Sequence, residues 1–151
     1  MAMTMSGAVE LSAAPAAVWD KLNDADVLRA CIPGCEELEQ IDGGGYRAVV
    51  KAKIGPVSAR FKGRVALSDL DPPKSYRISG EGEGGVAGFA KGGAFVSLTP
   101  NETGTLLSYE VEAHVGGKIA QLGQRLINGA AKKIADEFFA NFAKSVQDNP
   151  A

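Results

Sequence analysis

The sequence predicts an α+β domain in which a curved antiparallel sheet wraps around one long C-terminal helix. Three observations carry this. Leu122, Leu126, Ala130, Ile134, Phe138, Phe142 and Val146 recur every four residues and lay an apolar stripe along a helix from Gly117 to about Gln147. Nearly everything between Ala8 and Val115 reads as strand, much of it with apolar and polar residues alternating. The nineteen glycines fall mostly at turns and within strands and have no period, so neither a repeat array nor a collagen-like chain is implied. A sheet with one apolar face must cover it, and only this helix is long enough to do so. A strict four-residue step drifts about 40° per repeat against the 3.6-residue turn, so the stripe winds and suits a curved partner.

The elements follow in order. Thr4 to Leu11 alternates as a first strand. Ser12 or the residues after it can cap a short helix with Pro15 in its first turn and Val18, Trp19 and Leu22 on one side. A second short helix follows Asn23 or Asp24 and ends at Ile32-Pro33-Gly34. Glu36 to Ile41 is a short strand, and Asp42-Gly43-Gly44-Gly45 is a hairpin turn. Tyr46, Ala48, Val50, Ala52 and Ile54 then point inward against Arg47, Lys51 and Lys53. After Gly55-Pro56 the inward set is Val57, Ala59, Phe61, Gly63, Val65 and Leu67. Asp71-Pro72-Pro73 turns the chain, and Tyr76, Ile78 and Gly80 continue the inner face. Gly82 to Gly88 is too rich in glycine to pair throughout and is expected to bulge or turn. Phe89 to Leu98 is the next strand, and Leu107, Tyr109, Val111, Ala113 and Val115 complete the sheet before Gly116-Gly117. About seven strands result, with two short helices after the first.

At 151 residues the chain is expected to be a single domain, 1–151. A net charge of −2 gives no general attraction to nucleic acid. Two cysteines are no disulfide framework, and Cys31 and Cys35 read as reduced structural thiols of a cytoplasmic protein. Met1 to Gly7 lacks the features of a signal peptide, and no apolar run approaches the roughly 20 residues that span a bilayer. Membrane contact is therefore expected to be peripheral or made through a partner.

Little here points to catalysis. Cys31 and Cys35 are spaced by three residues rather than two, and a zinc site would need two more ligands. His114 is the one histidine, and its parity puts it on the outer sheet face. No inward pair of carboxylates is available for acid and base work. The Gly82–Gly88 run lacks the strand-to-helix context and the Lys-Ser/Thr ending of a phosphate loop, and fits a gate beside a cavity better. Arg47, Lys51, Lys53, Arg60, Lys62 and Arg64 line the outer face, opposite strands carrying Glu81, Glu83, Glu110 and Glu112, so cross-strand charge pairing on a solvated face is expected, with attraction of an acidic partner or of lipid headgroups as the alternative. Inside, Ala48, Ala52, Ala59 and Gly63 face Gly123, Gly129 and Ala130. So many small partners leave space under the first half of the helix, while Phe138, Phe139 and Phe142 thicken its second half. Parity and helix phase give a candidate ligand-binding set of Trp19, Leu28, Ile32, Tyr46, Phe61, Tyr76, Phe89, Phe95, Tyr109, Leu122, Gly123, Leu126, Ile127 and Ala130.

The run Val27 to Glu36, containing Ile32-Pro33-Gly34-Cys35-Glu36, the Ile54-Gly55-Pro56 turn, Phe61-Lys62-Gly63 and Gln121-Leu122-Gly123-Gln124-Arg125-Leu126-Ile127 resemble the CoxG family of carbon monoxide dehydrogenase proteins. The resemblance covers nearly the whole chain. It implies the helix-grip fold of the SRPBCC (START-like) superfamily, no intrinsic cofactor, no metal and no catalytic residues. It further implies an accessory role beside the subunits of a molybdenum hydroxylase of the aerobic carbon monoxide dehydrogenase type, with a quinone or similar lipid held in the grip cavity. For some members it also implies recruitment of the hydroxylase to the membrane through a C-terminal extension, a role not expected of a sequence that reads Asn149-Pro150-Ala151 at this point. The alternatives are an SRPBCC-type cyclase or hydrolase, which would need charged side chains in the cavity, and a ligand-free protein-interaction adaptor. A homodimer is left open.

Overall fold

A computed structural model describes residues 2–42 and 44–148. Met1, Gly43 of the expected hairpin turn and Asn149-Pro150-Ala151 therefore lie outside the described residues. The strands are β1 (Ala2–Leu11), β2 (Cys35–Ile41), β3 (Gly45–Ile54), β4 (Val57–Asp71), β5 (Ser75–Glu83), β6 (Phe89–Pro100) and β7 (Thr105–Gly116). They form one antiparallel sheet in the order β1-β7-β6-β5-β4-β3-β2. The long excursion through α1 (Pro15–Leu22) and α2 (Ala25–Cys31) is what lets β1 pair with the last strand, while the others form a meander.

Local chemistry fixes the two short helices. Ala14, among the residues after Ser12 expected to cap, is the N-cap of α1, with Pro15 directly behind it, where its missing N–H costs nothing. Asp24 caps α2, its carboxylate accepting from the backbone N–H of Asp26 at 2.9 Å and of Val27 at 3.3 Å. Asn23 instead closes α1, donating from Nδ2 to the Trp19 carbonyl at 2.9 Å.

The expected helix from Gly117 is two pieces. Lys118–Leu122 is a 3-10 turn, and α3 runs Gln124–Asp148. Gly117 and Gly123 break the path with φ of 81° and 95°, a left-handed region that favours glycine. The helix phase also differs from the four-residue stripe. Counting back from fully buried Phe142 in 3.6-residue turns leads to Phe138 and Phe139, Ala135, Ala131 and Ile127, which are the buried or half-buried positions. A strict four-residue step has turned about 80° by Ile134 and about 160° by Leu126. These two are accordingly 40% and 39% exposed.

The interior divides into two cores. At one end Phe142 and Val146 meet Leu11, Val18, Leu22, Cys31, Tyr76, Val96, Leu98 and Leu107, with Trp19, Tyr109, Phe138 and Phe139 packed around them. At the other, Ile119 and Ile127 meet Met3, Ala87 and Val115, flanked by Ile54, Val57, Phe61 and Leu122. We call these the dense end and the open end.

Candidate functional site

Between the two cores the sheet presents a floor of small side chains. Register places Ala48, Gly63, Gly82 and Ala90 in one inward row and Val65, Gly80, Gly92 and Ala113 in the next. A Cβ on Gly63 would run into the Glu81 carbonyl oxygen, and one on Gly92 into that of Glu112. Only glycine permits this close approach of neighbouring strands, which bends the sheet inward. The α3 backbone comes close to α2, β1 and β3 but stands off from the centre of the sheet. The inward residues of this floor, among them Ala48, Gly63, Val65, Gly80, Ala90 and Val111, are thus half-buried rather than buried.

The result is a cavity of about 370 Å³ over this floor, wide open to one side, with Val50, Phe61, Val65, Ile78 and Val111 as its larger side chains. That volume is near the lower end of small-molecule sites, roughly 300–1,000 Å³. Arg64, Glu81, Lys91 and Glu112 also border it, but their parity directs their side chains to the outer face, where they are exposed. The inward surface is consequently apolar. Larger hollows of about 580 and 800 Å³ lie on the outer face, edged by exposed charged residues such as Arg64, Arg77 and Glu110 and by His114.

Of the fourteen candidate residues, Phe61 borders the cavity. Ile127 and Leu122 stand in the open-end core beside it, and Ala130 is half-buried on α3. Gly123 forms the break before α3 rather than a position within it, and a side chain there would meet open space. Leu126 leans against Gly55 of the β3–β4 turn. Leu28 and Ile32 are half-buried on α2 and at its C-cap, and α2 packs on β2 and α3. Trp19 and Tyr76 meet edge to face at 5.1 Å, and Tyr109 stacks on Phe139 at 4.8 Å, all within the dense end. Tyr46 is buried and donates to the Asn23 carbonyl at 3.2 Å. Burial raises its hydroxyl pKa and holds that of Tyr76 far above the ordinary tyrosine range.

Phe89 and Phe95 require correction, since the sequence reading places both inside. Tyr76 pairs with Val96 on the inner face, so Phe95 pairs with Arg77 on the outer face, where the guanidinium lies 5.6 Å from its ring centre. Phe89 shares that parity beside Glu83 and Gly116. The missed inner residues are Ala90, Gly92 and Ala94. Their signal is the alternation with Val96 and Leu98, which the two aromatics outweigh.

The other expectations sort simply. Cys31 and Cys35 are free thiols, the first in the dense core and the second donating to the Glu37 carbonyl at 3.4 Å. Burial raises the pKa of both. His114 lies on the outer face between Lys91 and Ala2. Arg47 and Arg60 pair with Glu39 and Glu36 at 2.7 Å, and Lys62 and Arg64 sit opposite Glu83 and Glu81. Arg60 holds the Glu36 carboxyl below its usual range. Among the described residues no three His, Cys, Asp or Glu side chains are grouped to hold a metal, and no helix is long and apolar enough to cross a membrane.

A family model for CoxG, a carbon monoxide dehydrogenase subunit, matches residues 7–147. The chain belongs to the CoxG family. The fold is the helix grip, shared with a crystal structure of a conserved protein from Geobacillus kaustophilus. That protein is 35% identical, with a TM-score of 0.91 over 97% of this chain and 96% of that one. An uncharacterized protein from Rhizobium leguminosarum is 17% identical with a TM-score of 0.75, covering 99% of this chain and 97% of its own. Protein CV1439 from Chromobacterium violaceum is 21% identical with a TM-score of 0.66, covering 93% and 95%. At those identities the last two show the fold alone. No curated protein matches the chain. The CoxG name associates the chain with the subunits of carbon monoxide dehydrogenase.

Proposed function

We propose that the chain is a non-catalytic accessory protein of a molybdenum hydroxylase of the carbon monoxide dehydrogenase type, and that it holds an apolar, quinone-like molecule between sheet and α3. The apolar cavity over the glycine and alanine floor carries this reading. Burial of apolar ligand surface there contributes about 25 cal/mol per Å². The larger inward side chains, Val50, Phe61, Val65, Ile78 and Val111, offer contact area but no acid or base, which favours binding over proton-transfer chemistry. At about 370 Å³ the space suits a ring system better than a long chain, so a polyprenyl tail would leave through the opening. Gly84 lies against the Phe61 ring at the cavity's edge, and in this reading the Gly84–Gly88 segment acts as its gate.

The test is native mass spectrometry of the chain purified from its own host, followed by solvent extraction. A bound apolar molecule, exchangeable for a short-chain quinone, is expected. If nothing co-purifies and added short-chain quinone leaves the mass unchanged, the cavity is not a ligand site.

A further inference from the structure

The sheet has two edge strands, β1 and β2, and they are built in opposite ways. β2 carries Glu36, Glu37 and Glu39 within seven residues and breaks its register between Cys35 and Glu37. Charge and a bulge are ordinary means of keeping an edge from pairing with another chain. β1 has neither over most of its length. Its ten residues pair with β7 from Ala2 to Leu11 without a shift, and from Ala2 to Val9 they include no charge and no proline.

The free side of β1 is open to a partner. The Ala2 carbonyl accepts from Gln124 Nε2 of α3 at 3.0 Å and so points away from β7. By the two-residue repeat of an antiparallel ladder, the N–H and C=O groups of Thr4, Ser6 and Ala8 point the same way, and among the described residues no other element hydrogen-bonds to them. Beside this edge a groove of about 630 Å³ separates β1 from α3. Its far wall is a flank of α3 on which Asn128, Lys132, Asp136 and Ala140 recur every four residues and are exposed. Tyr109 reaches the groove across Gly7, where any side chain would strike its hydroxyl.

The contact between Gln124 and Ala2 also sets the two elements level at that end. At 1.5 Å per residue, the midpoint between Lys132 and Asp136 lies about 15 Å further along α3. At about 3.4 Å per residue, Ser6 lies about 14 Å further along β1. Lys132 Nζ and Asp136 Oδ2 form an exposed ion pair 2.8 Å apart, so the flank carries one cation and one anion placed evenly about the level of Ser6.

We propose that β1 pairs antiparallel with β1 of a second copy about a two-fold axis at Ser6, which joins the two sheets and brings the two α3 helices alongside each other. The face is self-complementary, as an isologous contact must be. On the outer side Ser6 meets Ser6, Thr4 meets Ala8 and Ala2 meets Glu10, so no like charges are opposed. On the inner side Met3 meets Val9, and the flexible Met5 of each copy meets Gly7 of the other beside the Tyr109 ring that covers it. Between the helices, Lys132 of each copy faces Asp136 of the other. A strand from an unrelated protein could add to the same edge. It would give no reason for an ion pair centred on Ser6. The pairing uses β1 and the exposed flank of α3, and so stands or falls apart from what the cavity holds.

Light scattering on the full chain during size-exclusion chromatography tests it. At about 100 μM, far above a micromolar Kd, the native chain is expected at twice the 15.6 kDa of one copy. Ser6→Lys sets like charges face to face on the axis and should weaken the dimer at least about tenfold, while Gln40→Lys on β2 leaves it unchanged. Lys132→Asp should weaken it similarly, and Lys132→Asp combined with Asp136→Lys, which keeps opposite charges facing, should restore it. All four positions are exposed, so the circular dichroism of the variants should match that of the native chain. A native chain that is monomeric at that concentration overturns the proposal, as does a dimer indifferent to Ser6→Lys. A dimer weakened by Lys132→Asp and not restored by the charge swap overturns the axis at Ser6. A monomer that binds hydroxylase subunits, with that binding lost in Ser6→Lys, overturns the second copy in favour of a partner's strand.

Discussion

The dense end and the open end share one sheet and one helix, yet the space between helix and sheet is filled at one and hollow beside the other. At the dense end Phe138, Phe139, Phe142 and Val146 reach across to Leu11, Val18 and Leu107. Toward the open end the helix offers Ala131 and Ile127, and the sheet offers alanine and glycine. The α3 backbone is continuous, so side-chain volume rather than topology decides where the core stops. Stability is thereby concentrated at one end, which leaves the other free to keep an apolar hollow that costs dispersion contacts when empty.

The largest test of this division is Phe142→Ala. Phe142 is fully buried in the dense core, so the truncation should cost about 3–5 kcal/mol in chemical denaturation. Leu126→Ala, on the opposite side of the same helix near the open end, should cost under about 1 kcal/mol. Similar losses for the two would mean that the ends are not energetically distinct.

An intermediate effect is expected on the floor. Gly92→Ala sets a methyl group against the Glu112 carbonyl, which must shift, at a cost of about 1–3 kcal/mol. A neutral result in thermal denaturation would show that the strands there are not held close. The smallest effect is one of pH. Burial keeps the Tyr76 hydroxyl protonated in the folded chain at pH values where an unfolded tyrosine ionises, near 10. The unfolded state then releases a proton that the native state keeps, so this contribution to stability is complete below about pH 10 and declines as pH rises beyond it. Tyr76→Phe should flatten the alkaline part of a stability–pH curve, whereas cavity substitutions should leave its slope alone.

The order of elements along the chain, the two short helices and the faces of β3 and β4 were legible in the sequence, the last because Arg47, Lys51, Lys53, Arg60, Lys62 and Arg64 alternate with apolar partners. The faces of β6 were not, for a physical reason. Hydrophobicity marks the inner face only where that face is packed, and beside a cavity the inward positions are Ala90, Gly92 and Ala94 while Phe89 and Phe95 lie outside. The helix start was hidden because glycine inside a helical pattern reads as a cost, and its use at Gly117 and Gly123 is a backbone angle that sequence does not display. The contrast between a thin and a thick half of the helix was readable. The phase within the thin half was not, since the four-residue repeat of Leu126, Ala130 and Ile134 competes with the 3.6-residue repeat ending at Ile127 and Ala131.

On the proposed function, the hollow over the small-residue floor receives an apolar ligand. Calorimetric titration of a short-chain quinone into the native chain and into Ala90→Leu tests it most directly. Ala90 lines the cavity between Gly82 and Val115, so leucine there fills the hollow without touching the dense core. Binding by the native chain is predicted, with at least about tenfold weaker binding by the variant and a melting temperature that is unchanged or raised. Equal affinity in the two proteins, or no heat of binding in either, would contradict it.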